Sequence, residues 1–275
     1  MNPTPAGSEP PFLQKLSWPE VERAAGEIGV VVVPIGSIEQ HGPHLPLDVD
    51  TATAAHLAIE GARAAGRQLG RPAAVLAPTI PFGGPEVGMT EWPGTIALRP
   101  EVFTDLLLDV FASLARAGFR AVAIVNGCYG NLAALRRAVE RGRASHPQTE
   151  FVVIDSVWRD REAIGAVRQS EPGGTGHACE IETSVALAID PQHVRMERAV
   201  DELAALPSAA LSLDFQAESA APLPAPFGQL TRSGVLGRAT LGTAEKGRAV
   251  LEAARTRVAE ALVDLAGRAQ APQKR

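Results

Sequence analysis

The sequence predicts an α/β fold, a three-layer α/β/α sandwich around a mostly parallel central sheet. Two observations predict it. Short, β-branched apolar runs recur at 30–35, 73–80, 121–125 and 151–157, and helical patterns at 51–66, 100–117 and 132–145 fall between them. Strands that are apolar throughout and alternate with helices bury both faces, as parallel sheets do. No repeat of fixed period interrupts the alternation.

The first run, 30–35, lies within the longest apolar stretch, 28–35, which is strand-sized. The helix over 51–66 is preceded by Asp50, a candidate N-cap. Pro100 suits a first helical position and Gly118 a C-terminal stop for the next helix. Asn131 can cap the helix over 132–145. A charged amphipathic helix over about 243–266 closes the chain. Residues 1–12, rich in proline and polar residues, are expected to be disordered or loosely docked, and 13–270 to form a single domain. Segment 206–234, with its prolines, alanines and serines, reads as a long excursion of the kind that serves as a functional lid.

Composition narrows the function. Hydrophobic residues make up 45% and aromatics 4% of the 275 residues, so the core must be aliphatic. A net charge of −5, with its 26 Lys and Arg scattered, argues against a nucleic-acid partner. No apolar run approaches the roughly 20 residues of a membrane span. The N-terminus lacks an apolar signal core, and the two cysteines, Cys128 and Cys179, are too few for a disulfide framework. A cytoplasmic protein with reduced thiols is expected. Gly26 and Gly29 precede their strand, so they form no dinucleotide fingerprint.

Three segments carry chemistry. After the first strand, residues 36–50 hold Glu39, His41, His44, Asp48 and Asp50, kept out of helix by Gly42, Pro43 and Pro46. They lie beyond the carboxyl end of a strand, where open parallel sheets bind ligands. Glu39 and His41, two apart, share a side in extended backbone. Glu, His and Asp suit Zn²⁺ or Mn²⁺; equally, they suit a polar loop that satisfies backbone groups. A second segment, Asn126-Gly127-Cys128-Tyr129-Gly130-Asn131, follows the strand at 121–125. A third contains His177, Glu180 and Glu182. If a helix begins there, His177 and Glu180 share a face, while Glu182 points away and complements the helix N-terminus.

The string Gly36-Ser37-x-Glu39-Gln40-His41-Gly42-Pro43-His44-Leu45-Pro46-Leu47-Asp48-x-Asp50-Thr51 resembles the signature of the creatininase family. Trp92-Pro93-Gly94-Thr95, the Asn126–Asn131 segment, His177-Ala178-Cys179-Glu180-Ile181-Glu182-Thr183-Ser184, Gly234-Val235-Leu236-Gly237 and Thr243-Ala244-Glu245-Lys246-Gly247 extend the likeness over about 13–266. The resemblance implies a creatininase-like fold and a metal-dependent amidohydrolase with two Zn or Mn ions. It implies that Glu39 binds one ion and His41 the other, with Asp50 bridging. Glu180 would complete the second ion's ligands, and His177 would carry a proton to the departing nitrogen. His44 and Asp48 are supporting candidates.

Cys128 departs from the pattern, because a histidine ligates the first metal at that position in the family. The cysteine could be a thiolate ligand, could leave that site empty and the enzyme mononuclear, could act as a nucleophile, or could be a small buried residue without chemistry. Tyr129, Trp92 and Trp158 are candidate substrate contacts, with loop 82–92 and the 206–234 excursion. Creatininase carries a tryptophan a few residues before its catalytic histidine, and that place here is Gly173. With Cys128, this argues against creatinine as substrate. The expected reaction is hydrolysis of a C–N bond, other than a peptide bond, in a small or cyclic amide. The alternatives are other ring chemistry on the same fold, or a degenerate scaffold that binds a metabolite. The resemblance also implies a homo-oligomer, commonly a hexamer, acting on a small molecule.

Overall fold

The computed structural model describes residues 8–84, 89–155, 157–158, 160–204, 214 and 225–270. Four strands form a wholly parallel sheet: β1 (Val30–Ile35), β2 (Val75–Leu76), β3 (Ala121–Asn126) and β4 (Glu150–Ile154), in the order β2-β1-β3-β4. Alternate residues of each strand feed opposite faces. Val30, Val32, Ala121 and Ala123 join one apolar cluster with α2 (Val49–Leu69), α5 (Arg161–Val167) and α8 (Ala244–Gln270). Val31, Val33, Val122 and Ile124 join another with α1 (Trp18–Glu27), α3 (Pro100–Arg116) and α4 (Leu132–Ser145). The result is the three-layer α/β/α arrangement, aliphatic as the composition requires.

The strand order sets the position of any site. The chain leaves β1 through α2 for β2 on one side, and leaves β3 through α4 for β4 on the other. The carboxyl ends of β1 and β3 therefore flank the switch point where loops diverge, the usual ligand crevice of such sheets.

Several expectations are corrected. The run 73–80 pairs only at Val75–Leu76, with a single further bridge from Ile80 to Ile35, because Pro78 has no N–H for the ladder. Residues 8–12 are docked: Phe12 bridges to Leu76, and Pro11 O accepts from Leu76 N at 2.8 Å, covering the sheet edge. Residues 1–7 lie outside the described residues, as do 206–213 and 215–224 of the excursion and 85–88 of the loop 82–92. A second, antiparallel sheet of β5 (Thr175–His177), β6 (Asp201–Glu202) and β7 (Leu236–Arg238), in the order β5-β7-β6, was not legible, since its strands have two or three residues. It brings the end of the excursion beside His177. No helix among the described residues is long and apolar enough to cross a membrane.

Candidate metal centre

The loop after β1 is pinned at both ends. Glu39 N donates to Leu47 O at 3.0 Å, and Thr51 Oγ1 donates to Ser37 O at 3.0 Å. Gln40 crosses to other elements: its backbone N donates to Thr95 Oγ1 at 3.0 Å and its Nε2 to Gly234 O at 3.1 Å. Flanking Gln40, Glu39 and His41 are consequently fixed and buried. The cap position of α2 is held by Asp48, without a side-chain cap bond, so Asp50 lies inside the first turn and is not the cap.

Around Asp50 the loops converge. Glu39, Asp50 and Cys128 offer ligand atoms within 4.8 Å of one another, and so do His41, Asp50 and Glu182, and Glu39, His41 and His177. His41 Nε2 is 3.5 Å from Asp50 Oδ1 and 4.0 Å from Glu182 Oε2. The rings of His41 and His177 stack obliquely with centroids 4.4 Å apart. Backbone carbonyls hold the far nitrogens: His41 Nδ1 meets Glu39 O at 3.1 Å, and His177 Nε2 meets Gln40 O at 2.8 Å. A carbonyl only accepts, so these bonds put the protons on those nitrogens and leave His41 Nε2 and His177 Nδ1 facing the carboxylates.

The electrostatics are those of buried acids crowded together. Burial, reinforced by Asp50, pushes the Glu39 carboxyl up to about 8. Burial and then Asp50 likewise raise Glu182 to about 7, against the pull of His41 and backbone N–H groups. For His41 burial acts downward, but Asp50, Glu182 and Glu39 outweigh it and push the ring up to about 10. Burial, with His41 nearby, holds His177 well below the usual imidazole range. Burial and the charges of Asp50 and Glu39 push the Cys128 thiol up.

His41 Nε2 and Asp50 Oδ2 are buried without a hydrogen-bond partner. Unpartnered buried polar atoms need an explanation, and a divalent cation between them supplies one. The oxygen, imidazole and sulfur donors fit first-row divalent ions.

The structure brings together Glu39, His41, Asp50, Cys128 and His177, but not Glu180. Glu180 turns away into a buried ion pair with Lys246, 2.6 Å from Nζ, and accepts from the backbone of Gln169 and Ser170 at 2.9 Å each. The position expected of it is taken by Glu182. His177 lies on β5, not on a helix; Ala178 (φ 48) and extended Cys179 intervene before α6 (Glu180–Ile189) begins. The helical count from His177 therefore fails. Glu182, in the first turn of α6, bends back to the Ala178 N–H and into the cluster.

Trp158 is also corrected: it is buried in the core beneath the site, and its Nε1 donates to Gly127 O at 2.6 Å. Tyr129 is 48% exposed, beside Cys128. Trp92 packs edge-on against Phe227, which in turn packs edge-on against the His177 ring at 5.0 Å. Phe227, in the short helix α7 (Phe227–Leu230), went unrecognised because it sits in a proline- and alanine-rich stretch. His44 serves structure, its Nε2 2.8 Å from Thr183 Oγ1 on α6.

The sequence profile of the creatininase family, described as creatinine amidohydrolase, matches residues 14–262. The chain belongs to the creatininase family. Its relatives include a mycofactocin precursor peptide peptidase of Mycobacterium tuberculosis, 33% identical over 234 residues, 81% of this chain and 80% of that protein. The creatinine amidohydrolase of Pseudomonas putida is 29% identical over 266 residues, 91% of this chain and 95% of the relative. A 3-dehydro-scyllo-inosose hydrolase of Thermotoga maritima is 28% identical over 196 residues, 69% of this chain and 60% of the relative. Among solved structures, a putative creatinine amidohydrolase from Bacteroides fragilis superposes with TM-score 0.80 at 25% identity, covering 97% of this chain and 99% of that one. Creatininases of Zn-Zn and Mn type are also among the structural neighbours. The family relatives named here are hydrolases.

Proposed function

We propose that residues 13–270 form one catalytic domain, a metal-dependent hydrolase that cleaves a C–N bond in a small amide. The observation that carries this reading is Asp50, which belongs to two triads of buried ligand atoms at the sheet's switch point. Glu39, Asp50 and Cys128 would hold one divalent ion, and His41, Asp50 and Glu182 the other. Bound ions supply Lewis-acid polarisation and lower the pKa of water to about 7.

The chain's own residues do the rest. Gln40 O fixes the His177 tautomer so that Nδ1 faces the substrate side, 3.9 Å from Glu182 Oε2. There His177 would take a proton from the attacking water and pass it to the departing nitrogen as the C–N bond breaks, the step that amide cleavage cannot omit. Phe227 packs edge-on against the ring with Trp92 behind it, which would shield the ring from water, and exposed Tyr129 would meet substrate.

A cyclic amide is the expected substrate class. The peptidase relatives favour a second reading, cleavage of a short peptide, and the inosose hydrolase keeps ring chemistry in view. By family likeness we also infer a cytoplasmic homo-oligomer, a hexamer in the commonest case. The test is hydrolysis of a panel of cyclic amides and short peptides by Zn²⁺- or Mn²⁺-loaded protein. Turnover abolished by chelator, restored by metal and absent in Asp50→Ala supports the reading; metal-independent turnover contradicts it.

A further inference from the structure

The two triads that share Asp50 differ in the donor that decides what each can hold. One includes Cys128 Sγ, the other His41 and Glu182. The chain's two cysteines are both buried, yet their surroundings differ. Cys179 belongs to the apolar cluster with Ile181 and Val185, where a thiol acts as a small hydrophobe. Cys128 belongs to none of the apolar clusters among the described residues. Its Sγ lies instead 3.8 Å from Glu39 Oε2, within the Asp50 cluster.

The backbone that carries this thiol is braced as a ligand's would be. Asn126 Nδ2 donates to Cys128 O at 2.7 Å, and Asn126 Oδ1 accepts from Cys128 N at 3.3 Å. Asn131 Nδ2 donates to Asn126 Oδ1 at 3.3 Å and to Gly36 O at 2.9 Å, tying the loops after β3 and β1. A Cβ at Gly127 would fall 2.1 Å from Asp50 O, so only glycine lets this loop press against the residue both triads share. Outer bonds of this kind fix the orientation of metal ligands.

We propose that the centre is chemically lopsided: Glu39, Asp50 and Cys128 form a thiolate site that selects zinc over manganese, while His41, Asp50 and Glu182 form an oxygen–nitrogen site open to both. The inference rests on the metal-hydrolase reading above. Thiolate is a soft donor that Zn²⁺ binds well, whereas Mn²⁺ stands at the weak end of the first-row order and prefers oxygen. On loading, the S–H bond breaks, sulfur gives its electron pair to the ion, and the proton leaves to solvent.

The test uses Co²⁺ as a spectroscopic probe on chelator-treated wild type, Cys128→Ser, Cys128→Ala and Cys179→Ser, each checked for folding by circular dichroism. The expected result is a near-ultraviolet sulfur-to-cobalt charge-transfer band in wild type that saturates at about one ion per chain. It is kept in Cys179→Ser and lost in both Cys128 variants. In competition between equal Zn²⁺ and Mn²⁺, elemental analysis should find more zinc than manganese per chain in wild type, and the excess should fall in Cys128→Ser. Two bound cobalt ions without a sulfur band in wild type would overturn the thiolate site and leave the metal reading standing. A band that survives Cys128→Ser would do the same. No bound ion in wild type would overturn both; if the Cys128 variants fail to fold, retention or loss of the band in Cys179→Ser assigns the sulfur instead.

Discussion

His41 Nε2 stands 3.5 Å from Asp50 Oδ1, and although both side chains are buried, neither this nitrogen nor Asp50 Oδ2 has a hydrogen-bond partner. Both atoms belong to the cluster of buried ligand atoms around Asp50 that a divalent cation would fit, and the proposed metal centre is tested through them.

Glu182 and Glu180, two residues apart on α6, should fail differently. Glu182→Gln removes a proposed ligand and should weaken metal binding by about a hundredfold or more, with little loss of folding. Glu180→Gln leaves Lys246 buried without its counter-charge and should cost about 3 kcal/mol or more of stability while sparing metal affinity. Metal titrations and thermal melts of the two variants distinguish them.

Metal-free protein should lose stability as pH rises above about 6.5. Folded Glu39 keeps its proton to about 8, Glu182 to about 7 and His41 to about 10, each above its unfolded value. The folded state thus binds more protons than the unfolded one, and stability falls with pH. His177 and His44 are lowered and work the other way, but above their unfolded value of 6.5 both states are neutral and they drop out. Melting temperatures of chelator-treated protein should decline from pH 6.5 to 9, and added Zn²⁺ should raise them more at the upper end. A rising or flat profile would count against the buried-acid cluster.

His177→Asn should keep its metal and lose turnover. A proton shuttle contributes about 10²–10⁴-fold, so kcat should fall by that factor while elemental analysis is unchanged. Loss of metal instead would make His177 a ligand.

Trp158→Phe should act on stability rather than on substrate. It orphans Gly127 O and should cost about 1–3 kcal/mol, with KM unchanged. A selective rise in KM would return Trp158 to the substrate pocket.

Much of this was legible in the sequence, for physical reasons. The runs at 30–35 and 121–125 are buried on both faces and unmistakably strands, and helix α4 begins and ends where expected, at Leu132 and Ser145. Glu39, His41 and Asp50 were legible because short range along the chain keeps them at one strand end. Glu182 was not, because the positive φ of Ala178 breaks the phase between His177 and α6. Phe227 and the small sheet were invisible for another reason: elements of two to four residues leave no periodicity to read.

The most direct test of the centre is metal content. Wild type and Asp50→Ala would be stripped, reconstituted with Zn²⁺, desalted and measured by elemental analysis. About two ions per chain in wild type and fewer than about one in Asp50→Ala is the expected result, since Asp50 serves both triads. Wild type that retains no ion after reconstitution, or Asp50→Ala that binds as many ions as wild type, would contradict it.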